Sequence, residues 1–494
     1  MAEDYRNYVG GKWIPASSGE TFESRNPANR DEVLGTFPRS QSEDVEAAVK
    51  AAKEAYHDWM LTPAPERADY LLRVALLLEQ RKEELSELMT REMGKTLKES
   101  RGDVQEGIDF AHYMSGEGRR PIGSTVPSEL RSKFSMTVRH PIGVVGLITP
   151  WNFPIAIPLW KIAPALVSGC TSIFKPAEDT PLLATLLVQM FEEVGLPPGV
   201  LNLVHGMGEE AGEPLVLHPD VRAISFTGSL EVGRHINETC GRLMKRCSLE
   251  LGSKNVLIVM PDADMDLAVE ASAWGAFATS GQRCTATSRL VVHEDARPEF
   301  TERLLQRVKG MKVGSGLDPE VELAPVINEK QKQRVLEFIE IGQKEGAKLL
   351  TGGEELTGDG YDKGNFLTPT VFDEATPDMR IAQEEIFGPV TAIIRTTDID
   401  EAIRFANSTK YGLSAAIYTR DITNVFKAIQ QLEFGVVYAN APTIGAEVQL
   451  PFGGMKSTGN GHREAGPQSL DEFTEWKAVS VDFSGSVQKA QGID

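Results

Sequence analysis

From about residue 141 the chain alternates short apolar runs with amphipathic stretches, and no other feature limits its fold as much. GVVGLIT and TSIFK read as buried strands, and TPLLATLLVQMFEEVG, Thr180 to Gly195, as a helix closed by Gly195 and Pro197. LNLVH is a strand, EEAGEPLVLH a short helix, AISFT a strand, and Glu231 to Lys245 a helix. Strands alternating with helices form βαβ units and a mostly parallel sheet. Such a sheet binds ligands beyond the carboxyl ends of its strands. The alternation then starts afresh. NVLIVM, a helix through Leu267 to Thr279, SRLVVHE, a helix from Arg297 to Val308, VTAIIR and SAAIYT predict a second α/β domain, with the boundary near Leu251 to Asn255.

Upstream, residues 1–40 carry short apolar runs broken by Gly, Pro and Asn, which read as strands and turns. Ser42 reads as an N-cap, followed at helical spacing by Val45, Ala48, Val49, Ala52 and Tyr56. Glu66 to about Lys98 reads as one longer helical stretch. The tail AVSVDFSGSV alternates like a strand, either at the edge of its own sheet or paired with another subunit. A chain of 494 residues exceeds what one hydrophobic core usually serves, so two or three domains are expected.

Lys and Arg number 51 against 71 Asp and Glu, a formal charge of −20. So acidic a body repels nucleic acid and anionic membrane surfaces. PIGVVGLITPWNFPIAIPLW, Pro141 to Trp160, is long enough to raise a transmembrane question, but its four prolines and the following Lys161 favour a buried strand, a turn and a helix start. The acidic N-terminus lacks the apolar core of a signal peptide, so a cytoplasmic location is expected. Four cysteines, Cys170, Cys240, Cys247 and Cys284, are too few for a disulfide framework. No Cys/His cluster has metal-ligand spacing, and no metal is expected.

Three strand-to-helix turns could hold a dinucleotide. NLVHGMGEEAG contains G-x-G-x-x-A at Gly206, Gly208 and Ala211, yet AISFTGS lacks the acid that this fingerprint wants about 20 residues on. SIFKPAEDTP offers Lys175 and Glu178 at a strand end, where a carboxylate accepts hydrogen bonds from ribose hydroxyls and repels a 2′-phosphate. FTGSLEVGRHI sets Gly228, Ser229 and Gly233 where backbone N–H groups can approach a phosphate. Cys284, in SGQRCTATS, is by its neighbours alone a buried filler, a redox thiol or a nucleophile.

Seven motifs stand in one order along the chain: TPWNFP (149–154), FKPAEDTP (174–181), FTGSLEVG (226–233), LELGSKN (249–255), GQRC (281–284), EEIFGPV (384–390) and PFGGMKSTG (451–459). In them the chain resembles the NAD(P)-dependent aldehyde dehydrogenase superfamily, non-acylating branch, over essentially its whole length. The resemblance implies an α/β fold with a Rossmann-like cofactor domain (1–122 and 142–252), a catalytic α/β domain (253–458) and a small bridging and oligomerisation element (123–141 and 459–494). It implies Cys284 as nucleophile, Glu250 as general base and Asn152 as oxyanion donor. Trp151, Lys175, Glu178, Gly228, Ser229, Gly252, Glu385 and Phe387 would meet the cofactor, NAD with NADP left open. Lys161 and Glu475 match a pair linked to proton relay. Because the turn at GSLEVG takes the pyrophosphate in the family, Gly206 and Gly208 lose that role.

The implied chemistry needs these residue types. A thiolate attacks the aldehyde to give a thiohemiacetal, whose oxyanion needs preorganised donors. Hydride leaves to the nicotinamide, and water activated by Glu250 hydrolyses the thioester. WNFPIAIPLWKIAPAL, NAPTIGAEVQLPFGG and the extra residue in GNGHREAG resemble the subgroup acting on α-ketoglutaric and related semialdehydes. Arg283, beside Cys284, is either an anchor for an anionic substrate or equally a surface or interface residue. A broad-specificity aldehyde dehydrogenase and a non-catalytic structural protein of the same fold are the alternatives. A homodimer or homotetramer is expected, with no nucleic-acid or membrane partner.

Overall fold

The computed structural model describes residues 3–120 and 123–489. The expected joint between residues 122 and 123 thus has its first side outside the described residues, as have residues 490–494. Apolar runs become strands where helices cover them on both faces. The first sheet runs in the order Arg246–Leu251, Val221–Gly228, Val144–Ile148, Thr171–Lys175, Leu201–Leu203, Asn7–Val9, Lys12–Ile14. Its first five strands are parallel and the last two antiparallel. The second sheet is ordered Lys348–Thr351, Thr370–Asp373, Val390–Thr396, Thr287–His293, Asn255–Val259, Ser414–Tyr418, Val436–Ala439. All its pairings are parallel except at the Lys348–Thr351 edge. The chain leaves the first sheet at Leu251 and enters the second at Asn255.

The apolar stretch from Pro141 to Trp160 is a strand, a turn and the start of the Ala156–Ser168 helix. Every residue of that helix is buried. Pro164 within it removes a backbone donor, which costs about 3 kcal/mol in an isolated helix. Full burial of Leu159, Ile162, Leu166 and Val167 contributes about 1.5–3 kcal/mol each and outweighs that cost. Among the described residues no helix is long and apolar enough to cross a membrane.

Three local expectations shift. The first helix, Ser42–Leu61, is capped by Gln41 rather than Ser42, because the Asp44 carboxylate accepts from the Gln41 N–H at 2.9 Å. The stretch from Glu66 to Lys98 is not one helix. It divides into Ala64–Gln80, Lys82–Met93 and the start of Leu97–Glu117. Gly94 ends the second of these in the left-handed conformation, φ 95°. Thr96 then caps the third, with Glu99 accepting from the Thr96 N–H at 3.0 Å. Thr96-x-x-Glu99 is a capping box, a start signal legible in the sequence. The tail strand, Thr474–Asp482, pairs antiparallel with Lys133–Pro141 of the same chain, so it is an edge strand of its own sheet.

Candidate active site

The carboxyl ends of the first sheet's parallel strands open into a cavity of about 1970 Å³. The second sheet closes it with the segments around Cys284, Glu385 and Phe387. Trp151, Asn152, Lys175, Glu178, Gly228, Ser229, Glu250 and Gly252 all border this one space. Of the weaker fingerprint only Gly208 reaches the wall. Gly206 packs on the Ser40 backbone, and Ala211 is in the core.

The Cys284 loop follows the helix Met265–Phe277, which ends two residues before the expected Thr279. Thr279 and Ser280 both adopt left-handed backbone, φ 53° and 56°, a conformation that costs non-glycine residues and needs outside support. That support is visible. The Glu99 carboxylate accepts from the Thr279 N–H, and Ile327 N–H donates to Gln282 Oε1 at 3.0 Å. Asn255 Nδ2 donates to the carbonyls of Cys284 and Ala286 at 2.7 and 3.0 Å. Cys284 is partly exposed, facing the cavity, whereas Cys170, Cys240 and Cys247 are buried. Burial and the neighbouring carboxylates Glu250 and Glu385 push its thiol well above the usual range, so the resting sulfur is protonated.

Asn152 is held from two sides. Its Nδ2 donates to the Gln282 carbonyl at 3.0 Å, leaving its second N–H free. Its own carbonyl accepts from Lys95 Nζ at 2.8 Å. Lys95 is itself fixed in a buried ion pair with Asp103 at 2.8 Å, over the Phe153 ring. Among the described residues the Cys284 N–H has no acceptor.

Glu250 is the last residue but one of the Arg246–Leu251 strand, buried, with neither carboxylate oxygen hydrogen-bonded among the described residues. Gly453 makes room for it: a Cβ there would lie 2.4 Å from Glu250 Oε1. Burial first, then repulsion by Glu464, raises its pKa well above the carboxylate range. Behind it lies a buried polar chain. Lys161 Nζ meets the Glu464 carboxylate and donates to Ser225 Oγ at 2.9 Å, and Ser225 Oγ donates to Glu472 at 3.2 Å.

This arrangement corrects the expected Lys161–Glu475 pair. Glu475 projects from the exposed tail strand, with Arg246 3.9 Å away. Glu464, eleven residues earlier in GNGHREAG, is the carboxylate against Lys161. The physical reason is the strand's place at the edge, where nearly all of its residues on both faces are exposed. The tail strand hydrogen-bonds to Lys133–Pro141 at the molecule's edge, far from the buried sheet end, and turns Glu475 to solvent.

At the cofactor side, Lys175 Nζ is buried, donating to the Pro176 carbonyl at 3.0 Å and lying 3.4 Å from Glu178. Ser229 caps the 13-residue helix Leu230–Arg242, accepting from Val232 N–H at 3.3 Å. Glu385 accepts from the Ser253 N–H at 2.8 Å, and a Cβ on Gly252 would fall 2.1 Å from its Oε2, so a side chain there would displace this carboxylate. Desolvation pushes Glu385 up to about 7. Ser253 donates from Oγ to Asn255 Oδ1 at 2.8 Å and joins the same loop support. Phe387, in left-handed backbone, meets Trp151 edge to face at 5.4 Å.

A fold of two α/β halves, with a thiol, a carboxyl and an amide on one ligand-sized cavity, defines a class that other proteins share. The sequence profile of the Aldehyde dehydrogenase family matches residues 13–479, and the chain belongs to that family. It is 44% identical over 477 residues to the alpha-ketoglutaric semialdehyde dehydrogenase of Bacillus subtilis, covering 97% of this chain and 98% of that protein. It is 43% identical over 471 residues to the 2,5-dioxopentanoate dehydrogenase of Saccharolobus solfataricus, covering 95% of this chain and 97% of that one. Among solved structures, betaine aldehyde dehydrogenase of Staphylococcus aureus in complex with NAD+ is 35% identical, with a TM-score of 0.95, covering 98% of this chain and 95% of that one.

Proposed function

We propose that this chain oxidises a semialdehyde to a carboxylic acid, with NAD as hydride acceptor and Cys284 as covalent nucleophile. The observation that carries this is one cavity bordered by Cys284, Asn152 and Glu250 and also by Lys175, Glu178, Gly228 and Ser229. The residues fit a dinucleotide: a carboxylate and an ammonium at one strand end, and a helix N-terminus at the next. Lys175 and Glu178 would hold the adenosine ribose, the Gly228–Ser229 turn the pyrophosphate, and Glu385 and Phe387 the nicotinamide end, with Trp151 and Gly252 shaping the wall. When bound, the nicotinamide accepts hydride from the substrate carbon.

The Cys284 thiol, protonated at rest, first gives its proton to water in the cavity. The thiolate then attacks the aldehyde carbon, and the free N–H of Asn152 and the Cys284 N–H receive the oxyanion. After hydride loss leaves a thioester, Glu250, once it has shed its own proton, deprotonates a water that attacks it, releasing the acid and the thiol. Lys161, Glu464, Ser225 and Glu472 give the proton a buried route away from Glu250.

Asn152→Ala removes one oxyanion donor and is expected to lower kcat by about a hundred- to a thousandfold. Steady-state formation of reduced cofactor measures it, and a loss under tenfold would overturn that role. Glu178→Gln removes the charge that opposes a 2′-phosphate. The ratio of kcat/KM with NAD to that with NADP is expected to fall about tenfold; an unchanged ratio would leave Glu178 without that role.

The semialdehyde assignment draws on the activities for which the relatives are named and on Arg283 in the cavity wall. An assay of reduced-cofactor formation over a panel of semialdehydes and neutral aldehydes tests it, and equal turnover of both would favour the broad-specificity reading. We further assign residues 1–122 and 142–252 to cofactor binding, 253–458 to catalysis, and 123–141 with 459–494 to a bridging element. That element exposes Phe134, Trp476 and Val481, consistent with assembly into a homodimer or homotetramer. All four cysteines are free, which suits a cytoplasmic setting.

A further inference from the structure

One carboxyl in the cavity wall has no part in the chemistry above. Glu106 stands on the Leu97–Glu117 helix and faces the cavity with Phe153, Arg283 and Cys284. Among the described residues its side chain has no hydrogen-bond or ion-pair partner. Neither of its charged neighbours pairs with it. Lys95 pairs with Asp103, and Arg283 donates from Nε to Thr279 Oγ1 at 2.9 Å, with Nη2 3.7 Å from Glu99. That leaves most of the Arg283 N–H groups uncommitted, since a guanidinium carries five donors. A half-buried carboxyl in the cavity wall, left unpartnered by its own chain, is available to whatever the cavity admits.

We propose that Glu106 selects the aldehyde by its tail, donating an O–H hydrogen bond to an oxygen of a carboxylate or α-oxo-acid group that Arg283 holds beside it. The proposal rests on the semialdehyde reading and extends it to the residue that discriminates. Two features support the protonated form. Burial raises Glu106 to about 8; Asp103 and Asp109 add to this, while Arg283 and Lys95 oppose it. The groups facing it from other elements, Cys284 and Tyr438, are kept neutral by burial. Near neutral pH the subsite therefore presents one cation and one neutral donor, which suits a monoanion. As pH rises through about 8 the acid loses its proton, and the tail would meet a second carboxylate.

The test compares kcat/KM for succinic semialdehyde with that for butanal, a neutral aldehyde of the same chain length, between about pH 6.5 and 9.5. The ratio of the two cancels the titration of Cys284 and Glu250, which act on both substrates. In the wild type the ratio is expected to exceed one at neutral pH and to fall as pH passes about 8. Glu106→Ala lowers the neutral-pH ratio by about tenfold or more. Glu106→Gln, which still donates but cannot ionise, restores much of the ratio and holds it level with pH. Measurable butanal turnover shows each variant folded. A wild-type ratio at or below one overturns the semialdehyde reading and this proposal together. A wild-type ratio above one that Glu106→Ala leaves within about twofold overturns this proposal alone.

Discussion

Cys284→Ser is expected to abolish aldehyde oxidation, lowering kcat by about ten-thousandfold or more. The substitution exchanges one atom, so shape explains little of the loss. A serine hydroxyl is far harder to ionise than a thiol, and this position already raises the cost of an anion through burial and the nearby carboxylates Glu250 and Glu385. A thiol can still ionise there because sulfur holds the resulting charge well; an alkoxide has no comparable relief. Asn152 and the loop bonds from Asn255 to the Cys284 and Ala286 carbonyls involve no Cys284 side-chain atom, so donors and frame remain. Reduced-cofactor formation with an excess of semialdehyde is the measurement. Turnover within tenfold of wild type would remove Cys284 from the mechanism.

Glu250→Gln is expected to give one rapid burst of reduced cofactor, about one equivalent per site, and then to stall, with steady-state turnover down by about a hundred- to ten-thousandfold. The burst reports oxidation as far as the thioester, and the stall reports hydrolysis. Glutamine fills the same space beside Gly453 but cannot accept a proton from water. The buried chain of Lys161, Glu464, Ser225 and Glu472 lies beyond Glu250 and does not replace the missing base. Stopped-flow absorbance of the reduced cofactor separates the phases. No burst at all would mean that Glu250 is indispensable for thiol ionisation, overturning the assignment of its main effect to hydrolysis. Undiminished steady-state turnover would remove it as base altogether.

Much of this architecture was legible because local patterns and tertiary needs agree. Apolar runs such as GVVGLIT and NVLIVM are strands in two largely parallel sheets, and the turn after AISFT does carry its glycine and serine to the cavity. Where sequence reading failed, a local pattern underdetermined a long-range partner. The motif FTEWK places a glutamate near the chain's end but does not say which way its strand turns. Only pairing with Lys133–Pro141 exposes Glu475 and leaves Lys161 to Glu464. Glu106 gave no signal at all. A glutamate on an amphipathic helix is ordinarily a solvated residue, and only the meeting of that helix with the Cys284 loop sets it in a cavity wall.

Periodicity, a property of neighbouring residues, determined the α/β class and the run of strands and helices, and the resemblance carried by the ordered motifs supplied Cys284, Glu250 and Asn152 as candidates. The tertiary structure decided which charges share one low-dielectric space: Lys161 with Glu464, Lys95 with Asp103, and Glu106 with Arg283 and Cys284. Those pairs join residues up to 303 positions apart. Electrostatic interaction depends on distance through space and on exclusion of water, and neither is written in local order.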